Sequence, residues 1–449
     1  MHTKAPLNMD RRSFIGSAAL AAVSAALPRA LHAQASPLRV NDERLRRNLE
    51  GLSQFGRPAG GTFESGVSRT AYSDADVAGH KFVMELIRAA GLEPRFDAAA
   101  NVLATRAGTD TSLKPILFGS HIDSVKNGGN FDGDVGSLGA IEVLQTLNEH
   151  NLRTRHPLKL VIWSAEESNY GSGLSGSRAA AGQLEPGEMD RVQNGVRKRD
   201  AIRKLGGDPQ HIASARMNKG DFAAYFELHI EQGGTLDAAG IPIGVVEGIV
   251  GIDDYEVTVR GFANHAGTTP IPQRKDALLA ASQMIMAVRE IATSMAGPQV
   301  ATVGQISASP GAPNVIPGEV KFTVDMRDLD GHKLAAMGEQ LQKRLPEIAA
   351  CNGCTVEIEK TGSHAAALTA EPLRKAIEQA ADSLGPRHTR LPSGAGHDAQ
   401  MMALLGPIGM IFIPSIGGIS HAPGERSRWE DVANGANVLM QTILELDKA

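Results

Sequence analysis

Histidine and carboxylate residues stand beside glycine or serine, or at the end of apolar runs, in five separated fragments of this chain. The fragments GSHIDSV, GGNFDGDVG, WSAEESNYG, FELHIEQG and GGISHAP supply His121, Asp132, the adjacent pair Glu166 and Glu167, His229 and His421. Three imidazoles and three carboxylates meet the needs of two-metal hydrolysis. One carboxylate bridges the ions, other side chains complete the coordination of each ion, and one carboxylate remains as a general base.

The first two fragments suggest how their ligands are oriented. His121 and Asp123 form H-x-D, so His121 can ligate through one ring nitrogen while Asp123 accepts the N–H of the other. Asp132 lies in a glycine-rich turn before a helix, and Asp134 is the competing carboxylate, with Asp132 favoured. This turn lacks the G-K-[ST] ending of a phosphate-binding loop.

Glu166 and Glu167 follow the apolar run that ends in WSA. On a turn after a strand, neighbouring side chains diverge, so one carboxylate can ligate while the other faces the substrate. A carboxylate near a bound water can take its proton and pass it to a leaving nitrogen. Most adjacent glutamates are solvated surface, and only the position after a strand favours a site here.

Short apolar runs alternate with helical patterns, which indicates an α/β protein with a mostly parallel sheet. A helix is predicted from Ser73-Asp74 to Gly91 and another over Leu138–Leu147. The predicted strands are Pro115–Gly119, Leu158–Ser164, Phe226–His229 and Ile408–Ile413. Ligands bind beyond the carboxyl ends of parallel strands, where His121, Glu166 and His421 fall.

The stretch from Ile252 to Thr361 has a different pattern, with the order β-α-β-β-α-β of a split βαβ unit. Its predicted elements are strands Asp254–Arg260, Val300–Ser307, Glu319–Arg327 and Thr355–Lys360, and helices Asp276–Ile291 and His332–Ile348. We therefore predict an inserted α+β domain for dimerisation or lid closure at residues 251–362. The catalytic domain would comprise residues 36–250 and 363–449.

The first 35 residues resemble a twin-arginine signal peptide and are excluded from fold reasoning. Asp10 to Ile15 carry the twin arginine, an apolar stretch runs to Leu27, and Ala33-Gln34-Ala35 offers a cleavage site after Ala35 or Ala33. The stretch is too short to span a bilayer, although an uncleaved tether is an alternative. We expect export to the periplasm or the exterior and no membrane association of the mature protein.

Length, charge and cysteine content bound the remaining possibilities. A chain of 449 residues indicates two or three domains. The formal net charge is −5 and the sequence has no long basic run, which argues against a nucleic-acid partner. Cys351 and Cys354 are the only cysteines, and a local disulfide or free thiols are favoured over a redox or zinc site.

Eight segments in order resemble the two-metal amidohydrolases that include N-carbamoyl-L-amino-acid hydrolases, β-ureidopropionases and allantoate amidohydrolases. They are GSHIDSV, FDGDVG, HIEQG, NHAGTTP, PNVIPG, DMRD, GAGHDA and GISHAP. The resemblance runs from about Leu45 to the C-terminus. It implies the fold of the zinc peptidase and aminoacylase superfamily, a homodimer, and two divalent ions per subunit. Zinc, manganese, cobalt and nickel all suit such ligands.

The resemblance also assigns the metal ligands. Asp132 would bridge the ions. His121 and His229 would be the other protein ligands of one ion, and Glu167 and His421 those of the second ion. An imidazole at the position of His229, in HIEQG, where peptidase relatives often have Asp, favours the carbamoyl and ureido branch over an aminoacylase or dipeptidase.

The same resemblance assigns catalytic and substrate-binding roles. Glu166 would be the general base, and His265 of the partner subunit would stabilise the tetrahedral oxyanion. The matched substrate-binding positions are Gln232, Asn314, Arg327, Gly394, Ala395 and His397. The planar guanidinium of Arg327 can bind a carboxylate through two parallel hydrogen bonds. A surface role for Arg327 and a structural role for His397 are alternatives.

The resemblance breaks in one segment. Family members tend to have EEGSRF where this chain has Glu166-Glu167-Ser168-Asn169-Tyr170. The ligand and the base remain, so the departure concerns substrate choice rather than hydrolysis.

The expected activity is metal-dependent hydrolysis of a linear C–N bond in an N-carbamoyl-L-amino acid or an allantoate-like ureido acid, with release of ammonia and CO2. The substrate would be a small molecule with a carboxylate. One alternative is an aminoacylase or dipeptidase of the same superfamily. Another is a non-catalytic extracytoplasmic protein that binds a ureido compound.

Overall fold

The computed structural model of this protein describes Met1 and residues 37–448. The predicted twin-arginine segment and its cleavage sites lie outside the described residues. Within residues 37–448 no helix is long and apolar enough to cross a membrane.

The described residues form eleven α-helices. They are α1 (Asp42–Leu52), α2 (Asp74–Ala89), α3 (Asp134–Glu149), α4 (Ser175–Ala181), α5 (Lys198–Leu205), α6 (Thr235–Ala239), α7 (Ala277–Thr293), α8 (Gly331–Cys351), α9 (Glu371–Leu384), α10 (Asp398–Met402) and α11 (Trp429–Lys448).

The strands of the first half of the described chain are β1 (Arg95–Phe96), β2 (Val102–Arg106), β3 (Ile116–His121), β4 (Leu158–Trp163), β5 (Val192–Gln193), β6 (Val196–Arg197), β7 (Ala224–Ile230), β8 (Ile243–Ile249) and β9 (Gly251–Arg260). Those of the second half are β10 (Asn264–His265), β11 (Val300–Thr302), β12 (Ile306–Ser309), β13 (Val315–Ile316), β14 (Glu319–Asp328), β15 (Thr355–His364), β16 (Ala367–Leu368), β17 (His388–Ser393) and β18 (Ile408–Ile413).

The larger sheet has the order β1-β2-β4-β3-β7-β18-β8-β16, with β17 paired to β8. Its four central strands, β4, β3, β7 and β18, are parallel to one another. The predicted α/β class is confirmed, but the sheet is mixed rather than mostly parallel, because β1–β2, β2–β4, β18–β8 and β8–β16 pair antiparallel. Only five residues connect β1 to β2, and so short a connection permits a hairpin but not a crossover.

Both faces of the larger sheet are covered, which explains the continuous apolar runs of its central strands. Along β3, Ile116 and Phe118 belong to one core cluster, with residues of α1, α2, α3, α9 and α11. Leu117 points the other way, into a cluster with residues of α4 and α10. The two-residue period of a strand therefore supplies two cores from one run of apolar residues.

The smaller sheet has the order β11-β14-β9-β15, with β12 also on β14, and every pair is antiparallel. Its core is separate and apolar, and it includes Val257, Phe322, Met284 and Leu341. The predicted β-α-β-β-α-β order is confirmed over residues 251–364. The domain boundaries and the dimerisation or lid role stay predictions.

Two local differences from the sequence prediction have simple causes. The predicted strand Val300–Ser307 is two strands, because three residues between Thr302 and Ile306 oppose two residues of β14, and this bulge interrupts the ladder. Both cysteines are free thiols: Cys351 is exposed at the end of α8, and Cys354 is buried against the smaller core.

Candidate metal centre and substrate site

The six candidate residues meet beyond the carboxyl ends of the four central parallel strands. His121 is the last residue of β3, and His229 lies one residue before the end of β7. The glutamate pair follows β4, and His421 lies in the loop after β18. The topology brings together residues that are 300 positions apart in the chain.

Asp132 is the centre of this cluster. Its Oδ1 lies 3.1 Å from Nε2 of His229 and 3.5 Å from Nε2 of His121. Its Oδ2 lies 3.2 Å from Nε2 of His421. The two carboxylate oxygens therefore face two different groups of imidazoles, which is the arrangement of a bridging ligand.

The two adjacent glutamates diverge as the sequence predicts. Oε1 of Glu167 lies 3.5 Å from Nε2 of His421, while Oε2 of Glu166 lies 3.8 Å from Nε2 of His121. Both side chains are 11% exposed. The turn that leads into the pair includes Ala165 at φ +52°, a left-handed conformation that non-glycine residues adopt uncommonly.

Asp123 orients this turn, by contacts that differ from the predicted ones. Nδ1 of His121 lies 3.0 Å from the main-chain carbonyl oxygen of Asp123 and 3.7 Å from its carboxylate. The carboxylate instead accepts the main-chain N–H groups of Glu166 and Glu167, each at 3.1 Å. Asp123 thus fixes the His121 ring through its backbone and the glutamate pair through its side chain.

The competing carboxylate, Asp134, has a different partner. It is buried at the start of α3 and forms an ion pair with the buried guanidinium of Arg69. Between the two acids lies Gly133 at φ +65°, where an added Cβ would stand 2.4 Å from the His121 ring. The close approach requires glycine there, and it leaves Asp132 alone on the side of the imidazoles.

The electrostatics of the cluster are those of opposite charges held together without water. Burial alone disfavours the charged imidazole of His121, but the carboxylates of Glu166 and Asp132 outweigh it and raise the His121 pKa well above its usual range. Burial raises the pKa of Glu166 well above its usual range and that of Glu167 to about 7. The contact with Asp132 raises the pKa of His421 to about 9.

Two sets of side chains could each hold a metal ion. Asp132 shares one set with His121 and His229, and another with Glu167 and His421, and all ligand atoms of a set lie within 4.8 Å of one another. Nε2 of His121 is buried and has no hydrogen-bond partner among the described residues. A buried, unpartnered imidazole nitrogen facing carboxylates fits a divalent cation.

A third set, Glu227, His229 and His397, is less suited to a metal. Both ring nitrogens of His229 are already engaged, since Nε2 faces Asp132 and Nδ1 lies 2.9 Å from the carbonyl oxygen of Ile230. Nε2 of His397 lies 2.8 Å from Oγ of Ser393, and burial lowers the His397 pKa well below its usual range. His397 is therefore a neutral ring packed 4.5 Å from that of His229.

Glu425 is a site residue that the sequence prediction missed. Its Oε1 accepts the main-chain N–H groups of Phe131 and Asp132, each at 3.0 Å. Its Oε2 accepts the hydroxyl of Ser420 at 2.8 Å and the N–H of His421 at 3.3 Å. This buried carboxylate ties the loop of the bridging acid to the loop of the last histidine. Its place four residues after His421 was the only sequence signal.

Of the predicted substrate-binding residues, Gln232 lies closest to the metal cluster. Its Nε2 donates to Oδ2 of Asp132 at 2.7 Å and lies 3.2 Å from Nε2 of His421. Its backbone is left-handed, at φ +59°, and its N–H donates to Ser415. The side chain thus points at the bridging carboxylate.

Arg327 and Gly394 meet where the smaller sheet approaches the larger one. Nη1 of Arg327 donates to the carbonyl oxygen of Gly394 at 2.6 Å, and the other two nitrogens pair with Asp325 at 2.8 Å. Both residues line a cavity of about 770 Å³ with Asp254. Two guanidinium nitrogens of Arg327 that could bind a carboxylate side by side therefore bind Asp325 in this structure.

The remaining predicted residues make no hydrogen bond to the cluster among the described residues. His265 is exposed on β10, and among the described residues its ring contacts only the N–H groups of Gly267 and Thr268. Asn314 accepts the N–H of Ala266 through its main chain. The carbonyl oxygen of Ala395 accepts the hydroxyl of Ser393.

The chain is similar to known proteins over most of its length. Residues 117–445 match the model of peptidase family M20/M25/M40. An N-carbamoyl-L-amino acid amidohydrolase of Geobacillus stearothermophilus is 39% identical, over 91% of this chain and 99% of that protein. An allantoate amidohydrolase of Escherichia coli K12 is 35% identical, over 90% and 97%.

A crystal structure of an amidase of the hydantoinase/carbamoylase family from Burkholderia multivorans superimposes with a TM-score of 0.84 at 35% identity, over 91% of this chain and 98% of that one. The chain belongs to peptidase family M20/M25/M40. The predicted family and fold are confirmed. The protein is a hydrolase, with relatives that are named amidohydrolases.

Proposed function

We propose that this protein hydrolyses the linear C–N bond of an N-carbamoyl-L-amino acid or an allantoate-like ureido acid, with two divalent metal ions per subunit. The observation that supports this most is the position of Asp132 between two groups of imidazoles, with Glu166 beside them and free of a strong ion pair. The names of the two relatives above narrow the substrate to compounds that carry a carbamoyl or ureido group.

The residues fit two ions. His121 and His229 would hold one, Glu167 and His421 the other, and Asp132 would bridge them. Such ions supply a water of lowered pKa and polarise the scissile carbonyl. The metal itself stays open between zinc, manganese, cobalt and nickel.

Glu166 moves the proton in this proposal. Its Oε2 is directed toward His121, and burial raises its pKa well above the usual range, so the carboxyl can hold a proton between two steps. It takes the proton from water as the carbonyl carbon is attacked, and it returns the proton to the leaving nitrogen. Gln232 and Asp123 keep the surrounding groups in place.

Arg327 binds the substrate carboxylate in this proposal, with Asp325 holding its guanidinium plane. Its contact with Gly394 links the smaller sheet to the segment that leads to His397. A carboxylate fixed there would set the direction from which the carbamoyl carbon meets the cluster.

The test begins with the protein lacking residues 1–35, loaded with Mn²⁺ or Zn²⁺. Ammonia release is measured from N-carbamoyl-L-amino acids, N-carbamoyl-β-alanine and allantoate, beside free-amine release from a dipeptide and an N-acetyl amino acid. We expect ammonia release that a chelator abolishes and added metal restores. Cleavage of only the dipeptide or the N-acetyl compound would move the protein to the peptidase or aminoacylase side. Tight binding without turnover would make it a binding protein.

We also propose a homodimer in which His265 serves the site of the partner subunit as the oxyanion group. The support is that His265 is exposed and apart from the cluster of its own chain. Leu279, Met286 and Val300, on α7 and β11, are also large apolar side chains at least half exposed. Sedimentation of the protein, together with activity restored by mixing His265→Ala and Glu166→Gln subunits, tests both parts.

Export by the twin-arginine route is proposed from Arg11 and Arg12 and the apolar stretch after them. Fractionation of cells that produce the full chain should place activity outside the cytoplasm, and Lys in place of both arginines should retain it inside.

A further inference from the structure

A second cavity, of about 520 Å³, opens directly beside the candidate metal centre. Glu167 is part of its lining, and its walls come from residues 70–73, 124–126, 168–170, 193–194 and 196 and from α5. We call it the side-chain cavity. Its volume is in the range of small-molecule sites. Because Glu167 also faces His421, a substrate held at the metal centre could extend into this cavity.

The walls of the side-chain cavity are held in place before any ligand binds. The rings of Tyr72 and Tyr170 pack edge to face at 6.2 Å, and Nδ2 of Asn169 donates to the carbonyl oxygen of Ala71 at 3.0 Å. The N–H of Tyr170 donates to Oε1 of Gln193 at 2.6 Å. These contacts fix the segment after the glutamate pair, which is the segment that departs from the family pattern.

The charges around the cavity are unequal. Glu167 is the one acid in its lining, and it lies at the metal end. Of the two lysines, Lys204 is paired with Asp74 at 2.7 Å and with the carbonyl oxygen of Tyr72. Lys126 is exposed and has no ion-pair partner among the described residues. Lys126 therefore gives the exposed part of the lining one positive charge that no described acid pairs with.

We propose that the side-chain cavity selects the substrate, and that it prefers N-carbamoyl amino acids whose side chain ends in a carboxylate, such as those of aspartate and glutamate. This inference rests on the proposed function above. The substrate's carbamoyl group would lie at the metal centre, and its side chain would pass Asn169 and Tyr170 to reach Lys126. An apolar side chain of equal length would gain no ion pair with this lysine, which would remain hydrated.

The test compares N-carbamoyl-L-glutamate with N-carbamoyl-L-norleucine, which differ in the charge of the side chain and little in its length. We expect the wild-type kcat/KM to favour the glutamate compound about two- to fivefold, which is the size of one exposed ion pair. Lys126→Met should remove this preference by lowering kcat/KM for the glutamate compound only. Lys126→Glu should invert it. Lys375→Met, on the exposed face of α9, is the matched control and should leave the ratio unchanged.

Three results would overturn the inference while the proposed function stands. The wild type could favour norleucine, or Lys126→Met could leave kcat/KM unchanged for both compounds. Lys126→Met could also lower both substrates equally, which would mean that Lys126 binds the α-carboxylate common to both. If neither compound nor any other carbamoyl or ureido substrate releases ammonia, the proposed function itself fails.

Discussion

The two sheets of this protein are stabilised in different ways. The core of the smaller sheet is mainly apolar, and alternate residues of β9 and β14 face it while the residues between them are more exposed. The larger sheet also has apolar cores, but beyond the ends of its central strands it buries His121, Asp132, Glu227, His229 and Asp398. Charged groups there lie close together and away from water.

This difference locates the function. Burying ionisable groups costs free energy unless they are paired or bind metals, so a fold retains them only where they serve a purpose. Asp398 illustrates the cost, because both its carboxylate oxygens lack hydrogen-bond partners among the described residues. Burial, with the nearby Glu227 carboxylate, raises its pKa well above the usual range. Among the described residues, the smaller sheet has no such cluster of buried ionisable groups. Its contribution is to hold other residues in position.

The largest effect should come from the base. Glu166→Gln keeps the shape of the side chain but cannot accept a proton, so we expect kcat to fall about 10²- to 10⁴-fold with both metal ions retained. Metal content by mass spectrometry and steady-state kinetics are the measurements. Glu445→Gln, on the surface of α11, is the control. A wild-type rate for the Glu166 variant would remove the residue from the mechanism.

A substitution in the core of the smaller sheet should change the stability of the protein without changing its metal binding. Phe322 is 1% exposed in the core of that sheet, and Phe322→Ala should lower the free energy of unfolding by about 3–5 kcal/mol through loss of buried area and a cavity. Urea unfolding and metal content are measured together. Loss of bound metal in the folded variant would contradict the division of roles between the sheets.

Glu425 tests whether the larger sheet needs its outer carboxylate. Gln can accept at one end only, so Glu425→Gln should leave the loop of Asp132 or that of His421 without its acceptor. We expect metal affinity to fall about 10- to 100-fold, as for other residues that support ligands. Competition with a chromogenic chelator measures this, and circular dichroism checks the fold. Unchanged affinity would mean that the loops hold their positions without Glu425.

The smallest effect is expected at the cysteines. Cys351 and Cys354 are free thiols, so a reductant should leave the midpoint of thermal unfolding unchanged. Cys351→Ser, at an exposed position, should change the free energy of unfolding by less than about 0.5 kcal/mol. A clear drop in the midpoint under reductant would reveal a disulfide in this part of the smaller sheet.

Local sequence patterns were enough to predict much of this structure. Apolar runs identified β3, β4, β7 and β18, and the residues after them form the candidate metal cluster, because strand ends and candidate ligands are neighbours in sequence. Helix α2 begins at the predicted Ser73 cap, whose side chain accepts the N–H of Asp76. The antiparallel edges of the larger sheet and the bulge between β11 and β12 could not be predicted, since pairing partners are set by topology.

The sequence by itself determined which residues could do chemistry and on which strand ends they stand, since both depend on neighbours within a few positions. Only the tertiary structure decided how they combine. In the folded protein Asp134 pairs with Arg69, while Asp132 faces the imidazoles. The Asp123 carboxylate accepts main-chain N–H groups of the glutamate pair, and Glu425 connects two loops. These choices join residues up to 294 positions apart. Hydrogen bonds and ion pairs form by distance in space, which no local pattern encodes.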